Sequence, residues 1–357
     1  MPDSSRTLDR RRFLGGGLAL TGAVAALGGV PAVASPGAAL DPAPRRPISL
    51  RGALPHRRFG KTGYVLPVLG HGGSAMVDQW AQGYGVTLGS IDDRVNMVRL
   101  GYERGMRYFD TARVYGESES IMGRALADVR DDVVIATKVA DPRPEKTRES
   151  VETSLRELGT HYIDLIQIHS PVTERVGYDG AMRVWGELAK LREEKIVHFI
   201  GLTTHVVFET VYRLIDSGSF DQVLLARGYL HKGMDMMHSN ANREWSHRCV
   251  ARAHELDMAI VIMKVMGLNL LGRGSVGVVA DYDPDRRRRL PAAAIRWALQ
   301  DQRISMLNIG VSVPEDIELN VATLRGDPAF TEEDEALLAE YASKVYASEY
   351  VQGLRVV

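Results

Sequence analysis

The chain of 357 residues is short of most features that would mark out a special chemistry or environment. It has one cysteine, Cys249, which excludes an internal disulfide and any cysteine-ligated zinc or iron–sulfur centre. It has no surplus charge of either sign: 44 basic side chains stand against 45 acidic ones, so neither nucleic acid nor a membrane surface is indicated as a partner. The histidines at 198, 205, 231, 238, 247 and 254 lack the close spacing of metal ligands, and no metal is expected. No G-x-G-x-x-G follows the first apolar strand, which removes the Rossmann route to a dinucleotide. What is present is an ordinary globular composition, 45% hydrophobic, in a chain long enough to build its own core.

The longest apolar run lies near the start and is broken by glycines. In "DRRRFLGGGLALTGAVAALGGVPAVA" a basic start (Arg10, Arg11, Arg12) precedes a Gly- and Ala-rich stretch ending at Pro31, and Ala32-Val33-Ala34 suits a cleavage site before Ser35. Arg10-Arg11 followed by Phe13-Leu14 resembles a twin-arginine export signal. Residues 1–34 are therefore expected to engage the export machinery and give a periplasmic or extracellular protein; an uncleaved N-terminal membrane anchor is the alternative. Residues 35–55, rich in Pro, Ala and Arg without a period, read as a flexible linker.

From residue 56 to 357 short β-branched apolar runs alternate with longer stretches of helical period. A hairpin turning at Lys61-Thr62-Gly63 leads into a first core strand near 65–70. Further strands are expected at 106–110, 133–138, 162–169, 197–203, 223–229, 259–265 and 306–312. Helices are expected at 91–104, 118–128, 147–158, 180–194, 206–217, 241–256, 291–301 and 314–325. Eight near-continuous apolar strands, each followed by an amphipathic helix, predict an α/β fold in which a parallel sheet closes into a (β/α)8 TIM barrel. Thr331 and the acidic stretch behind it add a capped C-terminal helix, and "DPDRRRRL" (283–290) reads as a solvated face at a helix start.

In such barrels chemistry sits at the C-terminal ends of the strands. Asp110 ends the second strand with Tyr115 in the loop behind it, Lys138 ends the third, and His169 ends the fourth. Neighbouring strands lie about 4.8 Å apart, so these side chains can converge. A phenol with a reference pKa of about 10 is a poor proton donor near neutrality; a neighbouring ammonium lowers it, and a buried ammonium needs a carboxylate. On that logic Asp110 holds Lys138, Lys138 lowers the pKa of Tyr115, and a neutral His169 orients a carbonyl. Each has a plainer reading alone: Asp110 as a helix cap, Lys138 as a solvated strand end, His169 as a structural histidine, Tyr115 as loop packing. The loop 74–89, with Trp80 and Tyr84, is a candidate wall of a substrate pocket.

"FDTARVYGESE", "ATK", "LIQIHS", "IGLTTH" and "NIGVS…NV" stand in this order between about residues 56 and 330, and together they resemble the aldo-keto reductase superfamily. The resemblance implies an oxidoreductase that moves hydride between a nicotinamide dinucleotide and a carbonyl or alcohol substrate (aldehyde, ketone or sugar). Asp110, Tyr115, Lys138 and His169 match its catalytic residues, with Tyr115 supplying the proton. It also implies cofactor contacts at Gly73 after the first strand, at Thr203 and Thr204 where Ser-Asn is commoner, and at Met263 in place of a stacking aromatic, with Lys264 beside it. Gly267 and Leu268 match the pyrophosphate loop, and Gly310, Ser312, Asp316 and Asn320 the adenosine end. NADP(H) is the family default. The lysine and arginine that usually grip a 2′-phosphate are missing near Gly310 and Asp316, and a carboxylate at Asp316 repels phosphate, which tilts the expectation toward NAD(H) unless Arg273 or Arg325 substitutes. Two other readings are an exported enzyme whose tightly bound NAD(H) is recycled in each turnover, by sugar epimerisation or elimination, and a non-catalytic dinucleotide-binding subunit.

Overall fold

The computed structural model describes residues 48–50, 52, 54–83 and 86–357; the expected export signal and Tyr84 lie outside them. Eight parallel strands close a barrel in chain order: β1 (Leu69–Gly72), β2 (Tyr108–Asp110), β3 (Val134–Val139), β4 (Ile163–Ile168), β5 (Val197–Thr204), β6 (Gln222–Ala226), β7 (Ala259–Met263) and β8 (Met306–Gly310), with β8 pairing back to β1. The helices α1 (Ile91–Glu103), α2 (Ser118–Leu126), α3 (Thr147–Leu158), α4 (Ser170–Glu193), α5 (Phe208–Asp216), α6 (Asn240–Glu255), α7 (Pro284–Leu299) and α8 (Pro314–Arg325) follow the strands in turn, and α9 (Glu332–Ala347) is added at the end.

Successive strand side chains point to opposite faces, and the apolar residues divide accordingly. Phe109, Ile135, Ile166, Ile200 and Leu307 belong to the large cluster shared with the helices. Tyr108, Ala136, Leu165, Phe199, Val261 and Met306 form a second cluster inside the barrel, joined by Phe59, Tyr64 and Leu66. Those last three come from an antiparallel hairpin, His56–Arg58 with Val65–Pro67. The hairpin plugs the N-terminal end of the barrel, where the Lys61 amide donates to the Asp257 carbonyl at 2.5 Å. Gly60, at φ 53°, allows the approach, since a Cβ there would lie 2.3 Å from the Ala259 nitrogen.

Several sequence-based boundaries shift for identifiable reasons. The expected first core strand at 65–70 is two elements, because Val65–Pro67 pairs within the hairpin and the barrel strand starts at Leu69; Pro67 lacks the N–H that an interior ladder needs. Helix α4 starts directly behind His169, ten residues before the expected 180, and absorbs Gly177 as a non-helical kink at φ 63°. Helix α7 starts at Pro284 rather than 291, capped by the Asp283 side chain, which accepts from the Arg286 amide. Its arginines pair with acidic residues of α9, Arg286 with Glu340 and Arg289 with Glu333. The described end of the expected linker is anchored: Leu54 is buried, and the Ser49 amide donates to Asp132 Oδ1 at 2.6 Å. Helix α9 begins with the expected cap, a box between Thr331 and Asp334.

Candidate active site

Counting by twos from the inner cluster places Asp110, Lys138 and Gln167 on the inward face at the C-terminal rim. Asp110 and Lys138 are 3% and 1% exposed, burial that an isolated charge would not survive. Lys138 Nζ donates to Asp110 Oδ1 at 2.5 Å and to the Thr111 carbonyl at 2.7 Å, while Gln167 Nε2 donates to Asp110 Oδ2 at 2.8 Å. Tyr115 enters from the loop behind β2, a turn held by its own amide on the Ala112 carbonyl at 2.9 Å. Its ring centre lies 5.0 Å from Lys138 Nζ and 5.8 Å from the His169 ring, which it meets edge-on. Trp80 closes the other side at 5.2 Å, also edge-on, as a wall contributed by the loop after β1. The four residues picked out at strand ends are thus brought into one volume.

The electrostatics differ from the expectation in one respect. Burial raises the Tyr115 pKa far above its ordinary value, and the Asp110 charge raises it further; the lowering by Lys138 expected from sequence is not present in this arrangement. The physical reason is that burial dominates, and that Asp110, 2.5 Å from the Lys138 ammonium, offsets much of that cation's field at the phenol. Burial also lowers the Lys138 pKa, against which Asp110 holds the charge. His169 is pushed down to about 3 by burial, then by Lys138 and Lys264, so its imidazole is neutral. Its Nδ1 is buried without a hydrogen-bond partner among the described residues.

On the cofactor side the expected residues meet varied fates. Thr203 faces inward, whereas Thr204 faces the helices; the Thr203 hydroxyl accepts from the Ser170 amide at 2.8 Å and that of Thr204 from the Val206 and Val207 amides. The pair expected to share one task is therefore split. Met263 ends β7 on the inward face, against the inner cluster. Gly73 packs on the start of α2, since a Cβ there would lie 2.5 Å from Ser118 Oγ. Lys264, Gly267, Leu268 and Asn269 all have positive φ, at 65°, 55°, 57° and 69°. In this loop the amides of Leu268 and Asn269 donate to no acceptor among the described residues. Gly310 ends β8. Ser312 donates through its hydroxyl to the Ala75 carbonyl at 3.3 Å, and Asn320 is buried on α8. Asp316 accepts from the Ser312 amide at 3.3 Å and is paired with Arg273 at 3.2 Å, so its charge is partly spent. Arg325 is not at this end: it donates to the Gly52 carbonyl at 3.0 Å, at the far end of α8 from Asp316.

A nicotinamide dinucleotide suits these groups. Among the described residues Gln167 Oε1 and Asn308 Oδ1 are buried and unpartnered on inward positions, leaving acceptors for an amide-bearing ring, and the adjacent free amides of Leu268 and Asn269 in left-handed backbone favour an oxyanion. Among the described residues no group of three or more His, Cys, Asp or Glu side chains is placed to hold a metal.

The sequence reading missed Gln167 and His205. Gln167 was detectable as a polar residue inside an apolar strand, two positions before His169 and so on the same face. His205, just past β5, had no such signal; its Nδ1 is buried without a partner and its amide donates to Ser170 Oγ at 3.2 Å.

Comparison with known proteins bears on this arrangement. A model of the aldo/keto reductase family matches residues 69–271, more than half of the chain. L-galactose dehydrogenase of Arabidopsis thaliana is 25% identical over 295 residues, which cover 75% of this chain and 87% of that protein. Methylglyoxal reductase DkgA of Yersinia pestis is 32% identical over 175 residues, 46% of this chain and 61% of that one. An aldo-keto reductase from Bacillus halodurans, in its holo form, superposes with a TM-score of 0.62 at 19% identity, covering 84% of this chain and 99% of that one. An aldo/keto reductase from Klebsiella pneumoniae in complex with NADP and acetate superposes at 0.60 with 18% identity, covering 80% and 94%. At these identities the structural likenesses speak for the fold.

Proposed function

The chain belongs to the aldo/keto reductase family and is an NAD(P)-dependent oxidoreductase acting on carbonyl or alcohol substrates; from that premise we propose that Tyr115 is its proton donor and acceptor. The observation carrying this reading is the Tyr115 ring held between Lys138 Nζ at 5.0 Å and the His169 ring at 5.8 Å. Tyr115 keeps its proton at neutral pH because burial and Asp110 raise its pKa, so it meets a carbonyl oxygen as a hydrogen-bond donor. As that oxygen becomes an alkoxide it turns into a stronger base than the phenolate, and the proton crosses. Lys138 then stabilises the phenolate, while Asp110 and Gln167 keep Lys138 charged and in place. His169, neutral down to about pH 3, orients the oxygen without adding charge. The dinucleotide, when bound, supplies or accepts the hydride. Thr203 and Met263 would hold its nicotinamide end, the Leu268 and Asn269 amides its pyrophosphate, and Ser312, Asp316 and Asn320 its adenosine.

The choice between NAD(H) and NADP(H) turns on Arg273 and Asp316. Because their charges offset each other at 3.2 Å, Asp316 loses much of its expected repulsion toward a 2′-phosphate, and this supports use of both dinucleotides. The named relatives, a dehydrogenase of L-galactose and a reductase of methylglyoxal, support a small polar carbonyl as substrate. Residues 1–34 are proposed as an export signal, tested by sequencing the N-terminus of the protein recovered outside the cytoplasm. The central test is Tyr115→Phe: turnover should fall to background while reduced dinucleotide still binds within twofold of the wild type. A variant retaining a tenth of the activity removes Tyr115 from the role.

A further inference from the structure

Among the described residues, Lys264 is a cation without a counter-ion on the barrel rim that carries the reactive centre. It stands one residue beyond the inward-facing Met263, with left-handed backbone at φ 65°, a conformation that a lysine adopts only when its surroundings impose it. They do so here. The Gly267 amide donates to the Lys264 carbonyl at 2.8 Å, and Gly228 packs so closely that a Cβ there would lie 2.4 Å from the same oxygen.

Burial first, and then the cations Lys232 and Lys138, lower the Lys264 pKa to about 8, which leaves it charged at neutral pH, and among the described residues no carboxylate forms an ion pair with it. The Asp110 carboxylate is already committed to Lys138 and Gln167. Lys264, His169 and His205 each directly follow a barrel strand and so stand on the same C-terminal rim, and among the described residues the Nδ1 atoms of both imidazoles are buried with no partner. Gathered ammonium groups beside unpartnered buried polar atoms are costly unless an anion joins them.

Resting on the oxidoreductase reading above, we infer that Lys264 and His205 recognise a carboxylate on the substrate, so that the reacting compound is an oxo acid or acidic sugar rather than a neutral aldehyde. The same oxyanion chemistry could come from a cofactor phosphate. Lys264 directly follows the strand end at Met263, on the rim that carries Lys138 and His169, whereas the free amides suited to the pyrophosphate are those of Leu268 and Asn269 further along the loop. This favours the substrate. The neutrality of both imidazoles leaves each with an N–H to donate, and a charge-assisted contact to Lys264 provides the main discrimination.

The test uses 4-carboxybenzaldehyde and benzaldehyde titrated calorimetrically into the full chain loaded with oxidised dinucleotide, which cannot reduce them. The wild type should bind the carboxylated aldehyde at least tenfold more tightly. Lys264→Met should shrink the preference below threefold, Lys264→Arg should keep most of it, and reduced dinucleotide should bind both variants within twofold of the wild type. No preference in the wild type overturns the inference, as does a preference that survives in Lys264→Met. A tenfold loss of dinucleotide affinity in Lys264→Met with the preference intact assigns the lysine to a phosphate instead. A carboxylate preference in a protein that reduces neither aldehyde leaves this inference standing and removes the oxidoreductase reading.

Discussion

At the ends of β2, β3 and β4 the barrel mouth is made of side chains: Asp110, Lys138 and Gln167 are joined by hydrogen bonds of 2.5 to 2.8 Å, and Tyr115 and His169 stand over them. At the end of β7 and beyond, it is made largely of main chain, with four positive-φ residues between Lys264 and Asn269 and one half-exposed ion pair, Arg273–Asp316. The first region depends on which functional groups are present, the second on where the backbone is sent. Substitutions should therefore be severe in one and mild in the other.

Lys138→Met tests the severe side. It leaves the Asp110 carboxylate buried with only Gln167 and removes the cation that stabilises a phenolate. Activity should drop by about a thousandfold, within the span for losing acid–base assistance, and chemical denaturation should show a loss of about 3 kcal/mol, typical of a broken buried pair. A variant as stable as the wild type would mean that Asp110 is not charged there. The next largest effect is a pH dependence. The His169 pKa is about 3 in the folded chain against about 6.5 unfolded, so between these values the unfolded chain binds a proton that the folded one does not. Its contribution is complete above pH 6.5 and is lost as the pH falls toward 3, by about 1.4 kcal/mol per pH unit. In urea melts at pH 7, 6 and 5, His169→Asn should flatten the decline by that amount; His71, held at about 4 by burial, keeps its own share.

The same contrast governs what the sequence disclosed. Asp110, Lys138 and His169 could be found because strand alternation puts inward residues at fixed spacing, and a charged group at the end of an apolar strand is conspicuous. Tyr115 sits in a loop; its place just behind a strand end marks it as a candidate, but its approach to Lys138 depends on the turn around Ala112, which spacing alone does not give. The direction of its pKa is not legible because sequence shows that a lysine is near, but neither the burial of the phenol nor the carboxylate 2.5 Å from the ammonium that offsets its field. Boundaries shift at prolines: Pro67 lies at the break between hairpin and barrel, and Pro291 reads as a helix start although α7 runs through it. In the cofactor loop the decisive quantity is φ, and nothing in the letters of Leu268 or Asn269 announces a left-handed backbone.

The Arg273–Asp316 pair is the one side-chain device on the milder side. Arg273→Ala should weaken NADPH two- to fivefold, the scale of an exposed ion pair, and leave NADH unchanged. Asp316→Ala should favour NADPH by a similar factor, since it frees the guanidinium. Fluorescence titrations with both dinucleotides read the two variants directly, and equal effects on NADH and NADPH would place the pair away from the 2′-position.

The smallest effect expected is that of Leu268→Gly, and it bears hardest on the contrast between the two regions. Leu268 has φ 57°, which costs a residue with a Cβ about 1 kcal/mol or more and a glycine almost nothing. Against that relief stands the greater freedom of glycine in the unfolded chain, of similar size, so the net change in stability should be under about 1 kcal/mol. If the loop holds its ligand through the amides of Leu268 and Asn269, both survive the substitution and dinucleotide affinity should stay within twofold. A tenfold weakening would show that the leucine side chain itself makes the contact, and the cofactor half of the mouth would then be built as the catalytic half is, from side chains.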